Sequence, residues 1–179
     1  KQKTTQLQEA ISMVSEYEVR KQMCDIGQRV YNRGMVAAND GNFSVKIGLN
    51  EILCTPTGVS KGFMTPNMIC KVDLDGNVIS TDGKHRPSSE IKMHLRVYKQ
   101  RPDVNAVVHA HPMYATAHAI AGIPLTKQIM PESTILLGEV PIAKYGLPST
   151  PEIPDAIEPF MQTHDAVLLE NHGALSWGV

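Results

Sequence analysis

Two pairs of short strand patterns, each pair joined by a turn, set the tightest limit on what this chain can fold into. Phe43-Ser44-Val45-Lys46-Ile47 alternates apolar and polar residues and is followed by a second short run, Glu51 to Thr55. Met68 to Val72 and Asn77 to Ser80 flank the turn Asp75-Gly76. A period of two marks strands with one covered face. Hairpin spacing of this kind argues against a simple parallel sheet, because parallel neighbours need long crossovers. Helical patterns interleave with the strands. Val19, Met23, Ile26 and Val30 recur at helical spacing within Glu16 to Arg33, and Gly34 is placed to end that helix. A weaker amphipathic stretch, Leu7-Ile11-Val14, precedes it. Pro87 to Tyr98, Pro112 to Ala121 and Pro151 to Phe160 read as helices, and Ala106 to His109, Ile135 to Pro141 and Ala166 to Glu170 as strands. The expected fold is one α/β domain over residues 1–179, with a mixed or antiparallel central sheet flanked by helices.

At 179 residues, such a domain buries roughly two-thirds of its unfolded surface and needs no staple for its core. The net charge is −1, with no basic block and few aromatic residues, so neither nucleic acid nor an anionic membrane is an expected partner. Any bound phosphate must therefore be held locally. No apolar run approaches the ~20 residues of a membrane helix. Cys24, Cys54 and Cys70 show no paired spacing, which points to a reducing, cytoplasmic setting. The chain opens on Lys1 and runs out of an apolar segment at Trp177-Gly178-Val179. The expectation is that its extreme N-terminus and a C-terminal segment are missing.

Three histidines carry the chemistry. His109-Ala110-His111 follows the apolar run Ala106 to Val108, and residues i and i+2 of an extended chain point to one side. Far along the chain, Val167-Leu168-Leu169-Glu170-Asn171-His172-Gly173 again ends a buried strand pattern in a histidine. Three imidazoles at strand ends, with one position open, form a common catalytic zinc pattern. One such pair alone is equally consistent with a core histidine beside a surface one. His85, His94, His118 and His164 lack this context and read as surface or internally satisfied side chains.

Pro87-Ser88-Ser89-Glu90 reads as the opening of a helix, whose first N–H groups attract anions. Serines there serve capping or phosphate binding alike. Glu90 either complements the helix dipole or, if it faces the metal, acts as an acid/base. The turns Asn39-Asp40-Gly41-Asn42 and Thr55-Pro56-Thr57-Gly58 could cradle an anion with backbone N–H groups, although each alone is an ordinary turn.

The ordered set GNFSV, TPTG, PSSE, HAH and NHG resembles the class II aldolase/adducin-head family, most nearly its fuculose-phosphate aldolase branch. The resemblance covers nearly the whole chain and implies a class II aldolase-like three-layer fold. It implies that His109, His111 and His172 are zinc ligands, and that Glu90 is the acid/base and also touches the metal when substrate is absent. It assigns Gly41, Asn42, Thr57, Gly58, Ser88 and Ser89 to phosphate. The implied partners are a phosphorylated sugar and three further copies of the chain, in a cyclic homotetramer with active sites between subunits. The implied reaction is metal-dependent, reversible cleavage of a ketose 1-phosphate to dihydroxyacetone phosphate and a short aldehyde. Sugar-phosphate 4-epimerases of the same fold carry aspartate in place of Glu90. Methylthioribulose-phosphate dehydratases share the glutamate and histidines and remain an alternative, whereas adducin heads, which are structural, lack the histidines. One departure concerns the aldehyde end. The fuculose-phosphate branch uses a neighbouring subunit's tyrosine in the stretch that here reads Lys127-Gln128-Ile129-Met130-Pro131-Glu132, with Tyr114 and Tyr145 only flanking it.

Overall fold

The computed structural model describes residues 15–179, so the stretch Leu7-Ile11-Val14 lies outside the described residues. Ser15 caps the first helix, α1 (Glu16–Asn32), by accepting the Glu18 N–H. Gly34 follows the helix at φ +66°. The chain then forms β1 (Asn42–Gly48) and β2 (Glu51–Cys54), two 3₁₀ turns (Lys61–Phe63 and Pro66–Met68), and β3 (Cys70–Val72) and β4 (Val78–Ser80). Next come α2 (Ile91–Gln100), β5 (Ala106–Ala110), α3 (Met113–Ala121), α4 (Pro131–Leu136) and β6 (Ile142–Ala143). α5 (Glu152–Ile157), a 3₁₀ turn (Glu158–Phe160), β7 (Ala166–Leu169) and β8 (Gly173–Gly178) complete the described chain.

The strands form one eight-stranded sheet in the order β4-β3-β2-β1-β5-β8-β7-β6. Every neighbouring pair is antiparallel except β6 and β7, so the sheet is mixed, as the hairpin patterns require. Alternation divides the core between two faces. Ile52, Cys54, Val107, Val167 and Leu169 join Met93 and Val97 of α2 and Ile153 and Ile157 of α5. Leu53 and Phe43 face the opposite way, with Met23 of α1 and Met64. On that side Ala166 and Leu168 pack against Ala119 of α3. The result is three layers, with β2, β5, β6, β7 and β8 sending apolar side chains to both faces of the sheet.

Three expectations need correction. The segment Pro87–Glu90 is not helical, because α2 starts at Ile91 with Glu90 as its N-cap. Pro87 bridges to Pro56, and the Ser88 N–H is spent on the Thr55 carbonyl, so this stretch is held as part of the sheet margin. The run Ile135 to Pro141 is not a strand. Pro131 opens α4, and the Ser133 and Thr134 hydroxyls both bond the Met130 carbonyl. The strand in that region is the shorter β6, beginning at Ile142. Met68 belongs to a 3₁₀ turn, so β3 begins only at Cys70. Cys70 stands opposite Cys54 in the β2–β3 register, and both thiols are free.

Candidate active site

The site forms where β1, β5 and α2 meet. Antiparallel register sets Asn42 of β1 opposite His109 of β5. Asn42 and Ser44 lie two residues apart and share the face that α2 covers, while Phe43 between them faces the other core. On the helix, Glu90, His94 and Tyr98 recur at four-residue spacing and form one stripe against these strand residues. Residues one sheet away in sequence are thus brought together by two simple periods.

The three histidines predicted to act together do converge. Their candidate ligand nitrogens all lie within 4.8 Å of one another. His109 is fully buried. Its Nδ1 lies 2.9 Å from the Ala174 carbonyl, an acceptor only, so Nδ1 carries the proton and Nε2 presents its lone pair. That Nε2 is 3.0 Å from His111 Nε2. The His111 backbone N–H bonds the Met35 carbonyl, fixing the chain as it leaves β5. His172 sits in the β7–β8 turn after Asn171, which adopts φ +56°. Gly173 is required there, since a Cβ would meet His111 Cδ2 at 2.6 Å and the Ala110 carbonyl at 2.7 Å. Gly41 is constrained in the same way, with φ +71° and a Cβ position 2.9 Å from the His109 carbonyl.

Burial, reinforced by His172 and His111, holds the His109 imidazole well below its usual range. Burial lowers His172 as well, outweighing the opposing pull of the Glu90 carboxylate. Neutral imidazole is the form that ligates metal. Glu90 stands beside them, with Oε1 3.4 Å from His172 Nε2 and Oε2 3.5 Å from His109 Nε2. Oε2 accepts a 2.8 Å bond from Asn42 Nδ2. Glu90 Oε1 and His172 Nδ1 are both buried without a hydrogen-bond partner. Unpartnered polar atoms beside three converging imidazoles suit one bound metal ion, and this donor set could hold it.

Backbone bonds draw the other expected segments together. The Thr57 N–H bonds the Arg86 carbonyl, and the Ser88 N–H bonds the Thr55 carbonyl. Thr57, Gly58 and Ser89 are exposed, whereas Ser88 and Gly41 are buried. The Asn42 side chain is committed at both ends, to Glu90 and to His94. Two residues carry more than the sequence suggested. Lys61 is almost fully buried, and its Nζ bonds the Asn39 and Val59 carbonyls, tying the two glycine turns to each other. Burial lowers that ammonium to about 8, with Asp40 pulling the other way. His94 is the second, and its four-residue spacing from Glu90 was the available signal. Tyr114 and Tyr145 are exposed.

The chain belongs to the family described as Class II Aldolase and Adducin N-terminal domain, whose model matches residues 21–179. Among individual proteins, it is 36% identical to an L-fuculose phosphate aldolase of Methanococcus maripaludis over 83% of this chain and 78% of that one. It is 32% identical to a 3-oxo-tetronate 4-phosphate decarboxylase of Haemophilus influenzae over 87% of this chain and 75% of that one. The crystal structure of YgbL from Klebsiella pneumoniae aligns with a TM-score of 0.84 at 31% identity, over 92% of this chain and 80% of that one.

Proposed function

We propose that this chain is a zinc-dependent lyase that reversibly cleaves a ketose 1-phosphate of the fuculose 1-phosphate type into dihydroxyacetone phosphate and a short aldehyde. The observation that carries the reading is Glu90 Oε1, which is buried, unpartnered and 3.4 Å from His172 Nε2. His109, His111 and His172 would hold a zinc ion, with Glu90 beside them, and the bound ion would supply Lewis acidity to the site. Glu90 exchanges a proton with the substrate carbon at which the bond breaks, a task worth about 10²- to 10⁴-fold in rate. Gly41, Thr57, Gly58, Ser88 and Ser89 bind the phosphate and orient the carbon chain, while the Asn42 side chain, expected to join them, is taken up by Glu90 and His94. The stapling of residues 55–57 to 86–88 supports that grouping. Lys61 adds one buried cation between the two turns.

The decarboxylase relatives support a second reading. A 3-oxo acid that loses carbon dioxide leaves an enediolate of the same kind, and protonation of it yields a ketone phosphate. Aldol cleavage also needs a base for the hydroxyl that becomes the aldehyde, whereas decarboxylation needs none. The stretch Lys127 to Glu132 brings no tyrosine to that task, which favours decarboxylation on this point. The test is to incubate the protein with a panel of ketose 1-phosphates and, separately, with 3-oxo-tetronate 4-phosphate, with and without chelator. Chelator-sensitive formation of dihydroxyacetone phosphate together with an aldehyde supports the aldolase. Carbon dioxide release from the oxo acid alone transfers the proposal to the decarboxylase, and no reaction with either overturns both.

The same reading includes a cyclic homotetramer with active sites between subunits. Its support is a run of exposed apolar side chains that includes Ile129, Ile135 and Leu136, each about four-fifths exposed.

A further inference from the structure

Beneath the site runs a buried polar seam. Asn42, Ser44, His94 and Tyr98 are each at most 4% exposed. Tyr98 Oη lies 2.8 Å from Ser44 Oγ, which is 2.7 Å from His94 Nδ1. His94 Nε2 is 2.5 Å from Asn42 Oδ1, and Asn42 Nδ2 donates to Glu90 Oε2 at 2.8 Å. The direction of every bond follows from the inventory of donors and acceptors. A carboxylate oxygen only accepts, so the Asn42 amide turns its NH₂ toward Glu90 and its carbonyl toward His94. His94 must then donate from Nε2, which leaves Nδ1 to accept the Ser44 hydroxyl proton. Ser44 in turn accepts from Tyr98. Burial pushes His94 down to about 3, so the ring stays neutral and retains one donor and one acceptor.

We infer that Asn42 and His94 are positioning residues that fix the Glu90 carboxylate, with Oε2 spent as an acceptor and Oε1 turned toward the three histidines. The inference rests on the proposed role of Glu90, and it explains why one carboxylate oxygen is bonded while the other is buried and bare. Without the His94 donor, the buried Asn42 carbonyl has no partner, so the amide is anchored at one end only and no longer fixes where Glu90 Oε2 sits. The seam is built from two periods, i and i+2 on β1 against i, i+4 and i+8 along the start and body of α2, so the orientation of Glu90 is written into packing well away from the metal ligands.

The test has two parts on the full-length, metal-loaded protein. First, ¹⁵N NMR of the wild-type His94 ring should show a protonated Nε2 and a bare Nδ1, a result independent of activity. The opposite tautomer overturns the inference. Second, His94→Phe should lower kcat about 10- to 100-fold, the usual cost of losing a group that orients a ligand, while KM and bound metal stay unchanged. His94→Gln supplies an N–H and a carbonyl in the ring's place and should recover most of that loss; it also serves if His94→Phe does not fold. Full activity in His94→Phe, or no recovery in His94→Gln, contradicts the positioning role. Glu90→Gln separates the two levels. An active Glu90→Gln removes the underlying reading, whereas an inactive Glu90→Gln beside a fully active His94→Phe removes the positioning role alone.

Discussion

Between α2 and β1, five polar side chains meet in a seam with each one bonded to the next, and four of them are almost wholly buried. Along residues 113–147 the opposite holds: Tyr114, Ile129, Ile135 and Leu136 are apolar or aromatic and stand about four-fifths exposed. The first region is complete within one chain, since each donor has an acceptor and the only bare atoms face the histidine cluster. The second leaves apolar surface that the described residues do not cover, at a cost of roughly 25 cal/mol per Å² left in water. The contrast teaches where each part of the chemistry resides. On the proposed function, the histidine and Glu90 end of the site is built by the fold itself, and the exposed apolar surface is the candidate contact with a second copy of the chain.

The largest effect should come from the first region. Glu90→Gln keeps shape and hydrogen bonding but removes the titrating proton, and turnover should fall by about two to four orders of magnitude with metal retained. Steady-state kinetics beside metal analysis checks this. Loss of metal together with activity would make Glu90 mainly a ligand.

A smaller effect concerns acid stability. His94 is neutral in the fold down to about pH 3 because it is buried, whereas in the unfolded chain it takes up a proton near 6.5. Between these values the unfolded state binds more protons, so stability falls as pH drops from about 6.5 toward 3. The share owed to this ring is about 2 kcal/mol at pH 5 by linkage. His94→Gln should therefore show a shallower loss of unfolding free energy between pH 7 and 5, measured by denaturant titration. An identical slope would mean that the ring is protonated in the folded protein.

Smaller still is the phosphate term. Ser89→Ala should raise KM for a phosphorylated substrate by about 10-fold, the worth of one hydrogen bond to a charged group, and leave its unphosphorylated analogue unchanged. Equal losses for both would remove Ser89 from the phosphate site. The second region is probed by Ile129→Lys with Leu136→Lys, which should convert a tetramer to single chains in sedimentation without unfolding them, since both residues are exposed. A wild-type protein that already sediments as a single chain would break the comparison.

The histidine cluster was legible because both of its halves follow buried apolar runs, and strands with such runs sit in the middle of a sheet. The hairpin patterns likewise announced a sheet that is not simply parallel, and the parallel β6–β7 pair makes it mixed. The helix start at Pro87 misled because a proline followed by serines is also what a sheet margin uses, and only the partner Pro56, thirty-odd residues back, decides between them. Ile135 to Pro141 has strand-like composition, yet Pro131 and two hydroxyls bonding back to Met130 make its beginning helical. β8 was hidden in the terminal run Gly173–Gly178, whose alternation shows only once β5 and β7 flank it. His94 reads by itself as a satisfied core histidine, and it is one. Its importance lies in what satisfies it, which depends on the β1 register and on no local pattern.

The central claim is that His109, His111 and His172 together hold one metal ion that the reaction requires. The direct measurement is metal content and zinc titration of the metal-stripped protein, wild type beside His111→Ala and His172→Ala. The account predicts one tightly bound ion per chain in the wild type, restoring activity in step with occupancy, and loss of that ion in either variant while the fold persists. Undiminished binding in both variants, or full activity in the metal-free wild type, would contradict it.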